Sequence, residues 1–148
     1  VSAPVPARGW KVGAGAGGAF APRDVSAIGL CIERLEALEQ GPALEAAIFR
    51  ALGWRVEPAQ GRRAAGRVRS PLSSAWMPLP PVTRSTDGAA ILVPFRWSWG
   101  CGRRDAHGFA WVRRDERTFF EARSGPPAVL LSRAALHAWR RILLETLP

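Results

Sequence analysis

Several chemistries are excluded by what this chain lacks. Two cysteines, Cys31 and Cys101, cannot make a disulfide scaffold. With two histidines, His107 and His137, they form no C-x-x-C or H-x-x-x-H pair, so no metal site is expected. No stretch approaches the roughly 18–20 uninterrupted apolar residues of a membrane span, and no membrane partner is expected. There is no Gly-Lys-Ser/Thr, hence no P-loop. Lysine is nearly missing: among 21 basic residues only Lys11 is lysine, and the others are arginine.

What is present describes a folded chain. Its 148 residues are one domain's worth, and 47% hydrophobic content with seven tryptophans argues against disorder throughout. The net charge of +9 is uneven. Residues 1–50 are neutral, 51–100 carry seven basic groups against two acidic, and 101–148 carry nine against five. A basic surface suits a polyanionic partner. Arginine among many Ala, Gly and Pro also fits GC-rich codon usage on a solvated surface, and composition leaves both readings open.

Along the chain, residues 1–23 read as a Pro/Gly-rich disordered tail without helical or strand period, and residues 24–148 as a single α+β domain. Gly13 to Gly18 spell G-x-G-x-x-G, but no strand precedes them and Pro22 follows too soon for the helix that would receive a pyrophosphate. Ala19-Phe20-Ala21 resembles a signal cleavage site, yet lacks the preceding apolar core, so secretion is not expected. Asp24 is a favoured N-cap, and Val25, Ile28, Ile32, Leu35 and Leu38 make one helical stripe. Gly41-Pro42 opens a second helix with Leu44, Ala47, Ile48, Ala51 and Leu52 facing inward. These two predict an N-terminal helical hairpin.

Residues 54–57 suggest a short strand, and the polar stretch from Pro58 to Pro81 reads as a solvated loop, with Trp76 and Met77 anchoring its end. Residues 85–93 fit either a short helix capped by Ser85 or a buried strand. Phe95, Trp97 and Trp99 alternate with polar residues, and residues 100–108 read as a turn. Phe109–Val112 and Thr118–Ala122 complete a small antiparallel β-meander. The middle strand has no polar face, which predicts helices on both sides: a three-layer α-β-α sandwich. Pro126-Pro127 opens a long C-terminal helix, with Ser124 a plausible cap and His137 on its polar side.

Candidate chemistry is sparse. Cys101, Asp105 and His107 lie within seven residues and offer the residue types of a nucleophile–base set, but a single hairpin loop would fix them poorly. No catalytic residue and no cofactor is assigned, and binding is expected rather than catalysis. The alternative with named residues is non-specific nucleic-acid binding. It would use Arg62, Arg63, Arg67 and Arg69 in the polar stretch, and Arg103, Arg104, Arg113, Arg114 and Arg117 on the hairpin turns. Guanidinium forks match phosphate oxygens, although no aromatic residues interleave the arginines of the polar stretch for base stacking.

Three segments carry a family resemblance: LEAAIFRALGWRVE (44–57), PPVTRSTDGAAILVP (80–94) and PPAVLLSRAALHAW (126–139). In this order and spacing the chain resembles the small phage and prophage proteins of the phage ABA sandwich domain family, over about Leu44 to Trp139. This chain departs from the family in its tail, in its arginine-bearing insert before Pro80, and in Ser132, where a cysteine is common. The resemblance implies a layered helix–sheet–helix fold, a helix within STDGAAILV, and a viral or prophage genome. Together with the lack of a catalytic set, it points to a phage or prophage accessory protein that acts by binding, with phage proteins as partners, in the host cytoplasm or on the virion. It brings no catalytic residues.

Overall fold

A computed structural model describes residues 23–59 and 66–147. The expected tail through Pro22, with its glycine motif, and the candidates Arg62 and Arg63 lie outside the described residues.

The helical hairpin forms where the apolar stripes place it. Helix α1 (Val25–Glu36) is capped by the Asp24 carboxylate, which accepts from the Ala27 amide at 3.1 Å, and it buries Ile28, Cys31, Ile32 and Leu35. Helix α2 (Pro42–Ala51) begins after Gly41, whose φ of 118° is a backbone state open to glycine. A short helix, α3 (Thr86–Ala90), is capped by Ser85. This resolves the helix-or-strand ambiguity at 85–93. The closing helix α4 (Pro127–Glu145) is the longest element. Pro126 precedes it, with no side-chain cap, and Ser124 instead takes a left-handed φ of 68° in the connection.

Two antiparallel sheets accompany the helices. Strands β1 (Arg55–Glu57), β2 (Arg67–Arg69) and β3 (Met77–Pro78) pair in chain order. The stretch expected as a solvated loop therefore holds two strands, and Val68 is buried in the core. Strands this short carry too few residues for a period to show.

Strands β4 (Ser98–Arg104), β5 (His107–Arg113) and β6 (Phe119–Arg123) form the meander. The sequence reading ended the first strand too early: β4 runs through Gly100-Cys101-Gly102, and the turn is only Asp105-Ala106, with Asp105 at φ 57°. The glycines belong to the strand because rings from β5 lie on them. A Cβ at Gly100 would sit 2.8 Å from three atoms of the Trp111 indole, and one at Gly102 would sit 3.4 Å from the Phe109 ring.

The α+β class, the helical hairpin, the meander and the long last helix all match expectation. The order of layers differs. Helix α4 packs against all three meander strands on one side, and against α1 and α3 on the other. A helix, not the sheet, holds the middle. Its burial is accordingly almost continuous from Ala128 to Trp139. Among the described residues α4 is the helix that packs substantially on the meander. The middle strand alternates after all: Gly108, Ala110 and Val112 are buried toward α4, while Phe109 and Trp111 point outward and are half-buried. Large aromatics on an outer face mimic, in sequence, a strand covered on both sides.

Buried polar contacts lock the helical side. Glu45 on α2 is fully buried. Its Oε2 accepts from the Thr83 amide (3.1 Å), the Thr83 hydroxyl (2.7 Å) and Arg84 Nε (3.1 Å), and its Oε1 accepts from Arg84 Nη2 (2.7 Å). Ser132 of α4 donates to the Val82 carbonyl, and the Trp139 indole donates to the Leu92 carbonyl, both at 2.7 Å.

Candidate nucleic-acid interface

The meander fixes the hairpin-turn arginines, because its register is continuous from end to end. Arg103 and Arg104 close β4 at one end, while Arg113, Arg114 and Arg117 belong to the β5–β6 turn at the other. The rise per residue puts these ends roughly 20 Å apart. The five hairpin arginines are therefore not one cluster.

Their partners sort them further. Arg114 is engaged: its guanidinium meets Glu145 at 3.0 Å and Asp115 at 3.4 Å, and these carboxylates hold its proton more firmly than usual. Arg67 on β2 pairs with Glu57 at 2.6 Å and lies over the Trp76 ring at 4.8 Å. Arg69 lies 5.9 Å from the same ring. No aromatic interleaves these arginines in the chain, but the fold brings Trp76, seven residues beyond Arg69, against both guanidinium groups. Arg103, Arg104, Arg113 and Arg117 are exposed, and their guanidinium groups form no ion pair among the described residues. Arg113 approaches the Trp111 ring at 5.8 Å.

Residues of the outward face follow from the register. Phe119, Arg113 and Ser98 stand in one row, Glu121, Trp111 and Gly100 in the next, then Arg123, Phe109 and Gly102, then His107 and Arg104. Trp111 and Phe119 are near-parallel, with centroids 6.4 Å apart and 25° between planes. The two rings thus neighbour each other in an offset, near-parallel arrangement across β5 and β6. Phe109, Trp111 and Phe119 pave the face between the two arginine-bearing ends. Sequence reasoning had the aromatics as cross-strand pairs only. The signal that would have found the paving is the glycine opposite each ring-bearing position of β5.

The Cys101, Asp105 and His107 trio is not assembled. Cys101 faces α4 in the row of Ala110, whereas His107 stands in the outward row of Arg104. Burial, and then the charge of Asp87, push the Cys101 thiol above its usual range, the reverse of nucleophile activation. Cys31 is buried on α1, with a thiol raised mainly by burial. His137 is half-buried rather than on a polar face. It stacks on Phe120 at 5.9 Å and accepts from Arg140 at Nδ1 (3.1 Å), since arginine only donates. Burial, then Arg140 and Arg133, hold it below the usual histidine range. Arg23, expected in the tail, packs over Trp139 at 4.6 Å, and burial lowers its pKa to about 10.

Among the described residues no group of His, Cys, Asp and Glu is arranged to hold a metal ion, and no helix is long and apolar enough to cross a membrane. Shallow depressions occur at the start of α1 and beside the β4–β5 turn, the latter lined by Arg103, His107 and Ser124. Fold and surface together define an α+β protein with a one-sided meander and cationic turns. Compared with known proteins, the chain matches no family model, no curated protein and no solved structure.

Proposed function

We propose that this protein acts by binding rather than catalysis, and that its ligand is nucleic acid held through the phosphates. The observation that carries this reading is the set of exposed arginines that form no ion pair among the described residues, Arg103, Arg104, Arg113 and Arg117, at the two ends of the meander. A sequence pI near 11.5 supports attraction to a polyanion. The resemblance of residues 44–57, 80–94 and 126–139 to phage ABA sandwich proteins supplies the setting: an accessory protein of a phage or prophage, working in the host cytoplasm or on the virion.

Phosphate contacts release counterions, so affinity falls as salt rises, by about 0.7–0.9 in log–log slope per neutralised phosphate. Affinity for labelled DNA measured across a salt series tests the reading. Replacing Arg103, Arg104, Arg113 and Arg117 by Gln is expected to weaken binding and flatten that slope. Absence of any binding at low salt rejects it, as does an unchanged slope in the fourfold variant.

A further inference from the structure

We propose that the outward face of the meander is a stacking platform for single-stranded nucleic acid, with Trp111 and Phe119 receiving bases and Arg104 and Arg113 receiving phosphates. This rests on the nucleic-acid reading above and names the form of the ligand.

The geometry of the rings carries the assignment. Three atoms of the Trp111 indole are equidistant from the Cβ position of Gly100, so the ring lies flat on the β4 backbone. Phe109 reaches Gly102 through two ring atoms, Cε1 and Cζ, 3.4 Å from its Cβ position, and adjoins the Trp111 ring along β5. A ring laid flat on backbone turns its other face outward, the face a base stacks on. Phe119, 45% exposed, extends this surface beside Trp111. Every base has a π-face, so such a platform accepts single strands with little sequence preference. A duplex keeps its bases stacked inside and offers only phosphates.

The surrounding charge selects the same ligand. Arg113 flanks Trp111, Arg123 stands beside Phe109 in its row, and Arg104 closes the far end. Glu121, the acid on this face by register, is already paired with Arg123 at 3.0 Å. An apolar protein segment would gain nothing from these cations, whereas a backbone of phosphates running over the rings meets them at both ends.

The test compares a fluorescently labelled oligothymidylate with a duplex of the same length, using the full chain. The wild-type protein is expected to prefer the single strand. Trp111→Ala with Phe119→Ala is expected to weaken single-strand binding by about tenfold or more and duplex binding by less than about twofold. Trp111→Phe, which keeps a flat ring, is expected to retain most of the affinity. Ultraviolet crosslinking of the oligothymidylate to the wild-type protein checks the surface without any substitution. Adducts at Trp111 or Phe119 support the platform, and adducts confined to other residues overturn it. Equal single-strand affinity in the folded double variant also overturns it, while duplex binding with a normal salt slope leaves the broader reading standing. Failure to bind either nucleic acid removes both. Self-association lost in Trp111→Ala, without oligonucleotide binding, overturns the platform by giving the face to a second copy of the chain.

Discussion

Glu45 is the side chain whose loss would reach furthest into the helical side. Four hydrogen bonds end on its carboxylate, two from Thr83 and two from Arg84, and Thr83 in turn receives the Gly41 amide on its hydroxyl and the Gln40 amide on its carbonyl. Burial works to raise its pKa, but the bonds from Arg84 and Thr83 outweigh burial and hold it below the usual glutamate range. Glu45→Ala leaves the buried Thr83 donors without an acceptor and is expected to cost about 2–4 kcal/mol, read from denaturant midpoints. The sign of the pH dependence follows from the depressed pKa. The contribution is complete above the unfolded glutamate value, about 4.3, and is lost as pH falls from there through the folded value. Stability measured against pH should show that acid limb in the wild type and a shallower one in Glu45→Gln. A matching midpoint and limb in the variant would count against the clamp. Nothing in the sequence flagged Glu45, because an acid in a helical pattern reads as part of a solvated face. Its buried partners come from a turn nearly forty residues away.

At the scale of elements, what the sequence shows depends on how many residues carry the signal. Helices α1 and α2 repeat their apolar positions over several turns, and both emerged where the stripes put them, except that Leu38 falls past the end of α1 at φ 60° and is exposed. Strands β2 and β3, of three and two residues, have no length in which to alternate. Strand β4 was masked by Gly100 and Gly102, residues that usually punctuate chains and here make room for rings from the neighbouring strand. Gly108 is a sharper case at the start of β5. A Cβ there would overlap the Gly125 carbonyl oxygen, where the Ser124 amide donates to the Gly108 carbonyl at 3.0 Å. Backbone cannot give way as a flexible side chain does, so Gly108→Ala should push the β6–α4 connection off the sheet. The expected loss is roughly 3 kcal/mol, measured by chemical denaturation. A variant as stable as wild type would mean that the two segments are not held together. For the interface, the turn arginines were legible as residues, but their separation to opposite ends of one sheet required the register.

For the whole molecule, the two faces of α4 matter most. The sheet packs on one side, α1 and α3 on the other, and the segments 44–57, 80–94 and 126–139 meet through Glu45, Thr83, Val82, Ser132, Leu92 and Trp139. Layer order was not legible because it depends on which partner covers a strand, and Phe109 and Trp111 look the same in sequence under a helix or in the open. A shared central helix also couples motions. Neither the meander nor the hairpin can separate without uncovering one side of α4, so opening of either exposes a large part of the core. Amide protons of α1, α4 and β5 should therefore exchange at one common slow rate, reporting a single cooperative unit. The β1–β3 sheet, of very short strands beside α2, should exchange faster and independently. Distinct rates for the meander and α1 in native-state exchange would break that coupling. The consequence is a division of labour in time: a surface bearing the rings that stays fixed between global unfolding events, joined to a small arginine-bearing sheet free to breathe on its own.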